Sequence, residues 1–336
     1  MVFGEWRPGR TKAREGRGSR DRSTGISGVL KDMRAYQLSF LCLFIVVFGF
    51  FEPDRTCAET RTYTDALGRV VTFSYPPKRI VSLVPDITET LFVLGLADEI
   101  VGVTRFSDYP PTAREKPKVG SYTNINTEAV IGLKPDLILG SGAGNSPRQV
   151  RRLARLGFPV FVVYPKDLDG VLEAIEQIAE VVGKAERGEV IVRDMRHRMG
   201  EISRRVAGRV RPKVLLQIGR DPIFTVSKGS FAHHLISLAG GDNIAKDAKL
   251  PYPSYSLEEI ILRGPEVIIV SSMYVDSNHA QWLKEWKEWT ILPAVKNNRL
   301  YAINSDLIDR PSPRIVKGLE AMARMIHPEA FAGDSR

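Results

Sequence analysis

From about residue 76 onward the chain is patterned by short aliphatic runs, each followed by a loop containing Pro, Gly, Ser or Asp. "RIVSLV" (Arg79 to Val84), "IVGV" (Ile100 to Val103), "DLILG" (Asp136 to Gly140) and "PVFVVY" (Pro159 to Tyr164) lack polar alternation. That predicts strands buried on both faces, as in a parallel sheet. Between them, "ITETLFVLGL" and "SPRQVRRLARLG" carry apolar residues at helical spacing, with Ser146 as N-cap and Pro147 at the first helical position of the second segment. The second half repeats the scheme. "KVLLQIG" (Lys213 to Gly219), "EVIIVSS" (Glu266 to Ser272) and "RLYAIN" (Arg299 to Asn304) predict strands, and "SFAHHLISLAGG" predicts a helix closed by a Gly pair.

Asp169 to Gly208, between the halves, has no strand signal. Val171, Ile175, Ile178 and Val182 form one helical stripe, and Ile191, Met195, Met199, Ile202 and Val206 form a second after Gly183. A single helix over Ala185 to Ala207 spans about 35 Å at 1.5 Å per residue, the width of a lobe. The halves also share a sentence: "TEAVIGLKPDLIL" (Thr127 to Leu139) returns 130 residues later as "LEEIILRGPEVII" (Leu257 to Ile269). A period this long suits a duplicated α/β unit rather than a solenoid. The expectation is an α/β protein of two Rossmann-like lobes with mainly parallel sheets, residues 59–168 and 209–336, joined by a helical linker over residues 169–208.

Composition agrees with this. With 336 residues, 43% hydrophobic and 26% charged, the chain has room for two cores of about 100–150 residues each. The net charge of +9 is partly a leader effect: residues 1–32 hold eight Lys/Arg against four acids. The mild excess left elsewhere makes no basic groove, so a nucleic-acid partner is not expected. From Met33, a second candidate start, "MRAYQLSFLCLFIVVFGFF" has a short basic beginning and an apolar run that fits a secretory signal. A cut after Ala58, with Thr56 at the −3 position, makes residues 1–58 the leader of an exported protein. Asp54, Arg55 and Thr56 do not form the small apolar box needed for lipid attachment at Cys57. Cys42 and Cys57 are both in this leader, so the exported chain carries no thiol and no disulfide.

In open parallel sheets, ligands bind beyond the carboxyl ends of the strands. The residues predicted there are Pro85, Phe106, Tyr122 and the "GSGAGNS" loop in the first half, and Phe224, Tyr252, Asp306 and Arg310 in the second. Aromatics with a few polar groups suit a largely apolar ligand with polar edges. The sequence holds no G-x-S-x-G elbow, no Walker loop and no H-E-x-x-H, and no nucleophile with a base beside it. His233 and His234 are adjacent, and the other three histidines are isolated; neither a catalytic nor a metal site is expected. Trp282, Trp286 and Trp289 recur at helical spacing and predict a packing stripe.

"RIVSLVPDITETLFVLGLADEIVGVTRFSDYPP", "LKPDLIL", "LQIGRDPIFTVSKGSF", "AGGDNIAKD", "LPYPSYSLEEII" and "DRPSPR" together resemble the periplasmic substrate-binding proteins for cobalamin and iron chelates, especially the cobalamin-binding branch. The resemblance covers residues 76–326. It implies two α/β lobes bridged by one long helix, with a ligand cleft between them. It places ligand contacts on Pro85, Phe106, Tyr122, Ser141, Ile218, Phe224, Tyr252, Asp306 and Arg310. Tyr122 and Tyr252 stand where the cobalamin type commonly has Trp, and Ser141 replaces a third Trp, which shortens one wall. It also implies that Glu128 and Glu258 dock the lobes onto a two-fold inner-membrane ABC permease with its ATPase. The expected function is capture of a corrinoid by a monomeric periplasmic binding protein, with the corrinoid as cargo and no cofactor. A ferric siderophore or haem is the alternative cargo, and a two-lobed α/β enzyme is the remote alternative.

Overall fold

The computed structural model of the protein describes residues 59–271 and 279–334. The leader, Met33, Cys42, Cys57 and the proposed cut after Ala58 lie outside the described residues, as does Ser272 at the end of "EVIIVSS".

The described chain opens with a hairpin, β1 (Glu59–Thr64) and β2 (Val70–Tyr75), paired antiparallel. In β2 exposed and buried positions alternate, because only one face of this ribbon is covered. The first lobe follows: β3 (Ile80–Ser82), α1 (Pro85–Val93), β4 (Ile100–Val103), α2 (Thr127–Leu133), β5 (Leu137–Ser141), α3 (Pro147–Arg155) and β6 (Val160–Val163). Its sheet runs β4-β3-β5-β6, with every pairing parallel. Next come α4 (Leu168–Val181) and α5 (Ala185–Val206). The second lobe comprises β7 (Lys213–Gln217), β8 (Ile223–Phe224), α6 (Phe231–Leu238), β9 (Asp242–Asn243), β10 (Ser254–Tyr255), α7 (Leu257–Arg263), β11 (Val267–Val270), α8 (His279–Lys287), α9 (Pro293–Lys296), β12 (Leu300–Ala302) and α10 (Ile315–Ile326). Its main sheet runs β12-β11-β7-β9, again parallel throughout, and β8 and β10 pair separately and antiparallel.

Both four-stranded sheets thus have one order: the first strand of each lobe lies between the second and the third, and the fourth lies outside the third. The repeated sentence builds the same corner in each. Asn126 Oδ1 accepts from the Ala129 N–H at 3.1 Å, and Ser256 Oγ accepts from the Glu259 N–H at 3.3 Å, capping α2 and α7. Both helices end on a left-handed residue, Lys134 (φ 46°) and Gly264 (φ 60°). After the proline, Asp136 accepts from the N–H groups of Lys78 (2.7 Å) and Arg79 (2.8 Å), and Glu266 accepts from that of Lys213 (2.9 Å). Each acid ties the strand it precedes to the start of the neighbouring first strand, where Ile80 faces Leu137 and Val214 faces Val267.

The linker forms two helices rather than loops. α5 is continuous over 22 residues, about 33 Å at 1.5 Å per residue. Its buried Ile191, Val192 and Met195 join one core with the apolar face of α4, and Ile202 and Val206 continue that core into α10 of the second lobe. At Gly188 a Cβ would lie 2.4 Å from that of Ala179, so α4 and α5 approach as closely as they do only because this position has no side chain. The local readings differ from the structure in small ways. Helix α1 begins at Pro85, two residues before "ITETLFVLGL", since Pro supplies the helical φ of the first position. Ser146 stands at the N-cap of α3 without a side-chain capping bond. Trp282 and Trp286 are buried as the stripe predicts, whereas Trp289 is 39% exposed, because it lies beyond the end of α8.

Candidate ligand site between the lobes

β3 ends one turn before Pro85, which starts α1 and is half-buried. From the loop after β4, Phe106 is 39% exposed. Its ring centroid lies 5.3 Å from that of Tyr122 at a 54° tilt, and the Arg105 guanidinium covers it at 4.7 Å. Tyr122 is held from behind: Asn145 Nδ2 donates to the carbonyls of Tyr122 (2.9 Å) and Leu83 (3.0 Å), and Asn145 Oδ1 accepts from the Ser141 N–H at 2.9 Å. Asn145 thus joins the ends of β3 and β5 to the loop that carries Tyr122, a role the sequence reading did not assign. Ser141 itself is buried, and its Oγ accepts from the Ala143 N–H at 3.3 Å. Its hydroxyl is turned toward its own loop.

In the second lobe, the half-buried Ile218 donates its N–H to the Phe224 carbonyl at 2.9 Å. Phe224 is 39% exposed on β8 and stands opposite Ser254 of β10; Tyr252, two residues before, is 56% exposed. Two half-open aromatics from each lobe therefore stand beyond the carboxyl ends of the strands. Around Tyr252 lies an acidic group that was not foreseen. Asp309 is exposed, and desolvation by its surroundings, followed by the nearby charge of Asp306, pushes its carboxyl up to about 6. Burial, and then the charge of Asp309, raise the Tyr252 phenol above its ordinary value.

The loops leaving the two sheets meet at one buried carboxylate. Glu89 of α1 is 1% exposed and accepts from Ser312 Oγ at 2.6 Å, Arg314 Nε at 2.8 Å and Arg310 Nη1 at 3.1 Å, with a further bond from Arg314 Nη2. Arg310 also reaches Asp108 at 2.7 Å and Asp306 at 2.8 Å, and Arg314 covers the Tyr109 ring at 3.7 Å. Asp306 and Arg310 thus pair with each other inside a network that spans the lobes. Burial raises the Asp306 carboxyl, and the Arg310 charge opposes the rise. Asp86, buried in the first turn of α1, is pushed up to about 7 by burial, with a smaller push from Glu89. Glu89, Asp108, Ser312 and Arg314 were missed individually, although "ITETL" and "DRPSPR" contain three of them.

Glu128 and Glu258 are exposed in the first turns of α2 and α7. Backbone and Ser256 hydrogen bonds hold the Glu258 carboxyl below its usual range. Among the described residues no helix is long and apolar enough to cross a membrane, and no cluster of three or more His, Cys, Asp or Glu could hold a metal ion.

The family model described as "Periplasmic binding protein" matches residues 80–307. A vitamin B12-binding protein of Vibrio cholerae serotype O1 is 35% identical over 247 residues, covering 73% of this chain and 88% of that protein. Among solved structures, the periplasmic vitamin B12 binding protein BtuF of Vibrio cholerae superposes with a TM-score of 0.67 at 34% identity, over 76% of this chain and 98% of that one. The periplasmic heme-binding protein RhuT from Roseiflexus sp. RS-1 gives 0.67 at 25% identity, over 75% and 99%. The matched span runs from the first strand of one lobe to the network-bearing loop of the other, and the chain belongs to the periplasmic binding protein family.

Proposed function

We propose that this protein captures a corrinoid between its lobes and delivers it to an ABC-type importer of the inner membrane. In this reading the signal from Met33 is cleaved near Glu59 and the protein works in the periplasm as a monomer, with no catalytic step and no cofactor. It divides into residues 59–168, 169–208 and 209–336. Pro85, Phe106, Tyr122, Ser141, Ile218, Phe224, Tyr252, Asp306 and Arg310 line the site, and Glu128 and Glu258 meet the permease. The observation that carries the reading is the set of half-open aromatics at the loop tips of both lobes, Phe106 with Tyr122 in the first and Phe224 with Tyr252 in the second, with Asp309 beside Tyr252. Such walls cover a large flat ligand, and the carboxylates accept from amide N–H groups on its rim. The relatives named for vitamin B12 support the same cargo.

Haem or a ferric siderophore is the second reading. It is supported by the heme-binding relative of equal TM-score and by the open phenol of Tyr252, since Tyr can be an axial ligand of haem iron. Titration of the exported protein with cyanocobalamin, hemin and a ferric siderophore separates the readings. Saturable tight binding of cyanocobalamin alone is expected; preference for hemin with a tyrosinate charge-transfer band would overturn the corrinoid reading. In the same assay Phe224→Ala and Tyr252→Ala are expected to weaken binding by about 1–3 kcal/mol each, the worth of a side chain buried against the ligand. The melting temperature of the empty protein is expected to stay nearly constant. Equal loss of fold stability would make them core residues instead.

Asp309 adds a pH dependence. A carboxyl at about 6 is mostly ionised at pH 7 and mostly protonated at pH 5, so its strength as an acceptor falls as the solution is acidified. Corrinoid affinity is expected to weaken by up to about tenfold from pH 7 to pH 5, and Asp309→Asn is expected to flatten the profile. Asp86, at about 7, titrates in the same window, so the difference between variant and parent isolates Asp309. Stability moves the other way. The folded protein holds this proton more tightly than the unfolded chain, so the group's contribution is lost as pH rises through about 6. A profile identical in parent and variant would remove Asp309 from the site.

A further inference from the structure

We infer that α3 is a contact face for an acidic phospholipid surface. Arg148, Arg151, Arg152 and Arg155 follow one another at the i, i+3, i+4, i+7 spacing, and all four are exposed, while Val150 and Leu153 bury the opposite side. Like charges three and four residues apart repel and weaken a helix, and the first turn carries no acid to compensate. Several arginines elsewhere on this protein have acidic partners, among them Arg196 with Glu176, Arg263 with Asp247 and Glu259, and Arg220 with Glu285, and Arg79 and Arg211 donate to backbone carbonyls. Among the described residues the four arginines of α3 have no acidic partner; their one side-chain bond is from Arg155 Nε to the Arg151 carbonyl at 3.4 Å. The stripe is a standing cost with no internal return, which points to an external anion.

The geometry favours lipid over a shaped protein surface. The guanidinium fork matches phosphate, and side chains with no fixed partners can follow headgroups that move laterally. The basic face also ends in an interfacial aromatic. Tyr164 is 45% exposed, with Lys166 Nζ 5.4 Å from its ring centroid. Its ring packs so tightly on Gly142 that a Cβ there would lie 2.8 Å away, which places it at the loop leading into α3. Tyr beside Lys suits the headgroup layer. The first turn of α3 adjoins the start of α2, since Gln149 Nε2 donates to Asn124 Oδ1 at 3.4 Å, so the stripe runs from the Glu128 edge down the flank of the first lobe. The proposal rests on the permease reading only for where the membrane lies, and its test is free of permease.

The exported protein is floated with vesicles of phosphatidylcholine alone or mixed with phosphatidylglycerol. Binding to the anionic vesicles only is expected, and salt at about 0.5 M, where the Debye length falls well below 8 Å, is expected to release it. R148Q/R151Q/R152Q/R155Q keeps good helix formers and is expected to lower the partition by nearly three orders of magnitude, at about fivefold per arginine, with cyanocobalamin binding unchanged. Glu128→Lys with Glu258→Lys is expected to retain vesicle binding, so a failure of the permease reading is seen separately. Equal partition onto neutral and anionic vesicles, or an unchanged quadruple variant, would overturn the proposal. So would a quadruple variant that loses complex formation with detergent-solubilised permease in the absence of any vesicle binding by the parent, because the partner would then be an acidic protein surface.

Discussion

Glu89→Ala is expected to lower stability by about 3–5 kcal/mol, because removing one member of a buried ion network leaves the others charged and uncompensated. The case rests on burial and on number. Glu89 is 1% exposed and takes hydrogen bonds from Arg310, Arg314 and Ser312. Without it Arg310 retains Asp108 and Asp306, but Arg314 keeps only the Tyr109 face. For a chain of this size the loss corresponds to a fall of about 10 °C in melting temperature. Ligand binding is expected to weaken too, since Glu89 helps to position Arg310 and holds the C-terminal loop on the first lobe. Arg314→Ala, which leaves Glu89 bonded to Arg310 and Ser312, is expected to cost clearly less. Thermal melts of the two variants decide the matter: a Glu89→Ala protein that melts with its parent would show that the network is solvated and idle.

Charge reversal at both repeat glutamates, Glu128→Lys with Glu258→Lys, is expected to abolish ligand import while leaving ligand affinity within about twofold. Both side chains are exposed, and the caps of their helices are made by Asn126 and Ser256 rather than by the glutamates. Folding therefore survives the change, apart from an unfavourable interaction of each lysine with its helix dipole. In the proposed docking, a two-fold permease would present the same basic patch twice, and a protein with two copies of one corner would meet it with one acid per lobe. Each single variant is expected to lose part of the transport and the double variant nearly all. Undiminished import by the double variant would leave the glutamates as solvated first-turn acids and refute the docking role.

The sequence reveals most clearly what local chemistry controls. Buried parallel strands were legible as aliphatic runs, and the caps, the left-handed C-cap at Gly264 and the repeated corner follow from residues within a few positions of one another. Strand β9 was not visible, because two polar residues, Asp242 and Asn243, carry no hydrophobic pattern. The β1–β2 hairpin escapes a search for aliphatic runs, although the alternation in Val70–Tyr75 is its signal. In the site, the aromatics, Asp306 and Arg310 were readable as loop-tip residues. The Glu89 network was not: 221 to 225 residues separate its partners, and nothing short of the folded topology brings α1 to the loop after β12. Asp309 was hidden for a different reason. Its interest comes from crowding, which a sequence does not print.

The continuous α5 has a consequence for how the protein behaves as a population. A carrier hinged by flexible strands changes outline when it loads, which lets an importer ignore empty copies. Here a 22-residue rod shares its core with both lobes, and Glu89 pins their facing loops. On the proposed function, empty and loaded copies would present nearly the same outer surface, and an empty one would occupy the importer as a competitor. Flux would then be set by the ratio of cargo to carrier rather than by the amount of carrier, and a cell making the carrier far in excess of its cargo would slow its own uptake.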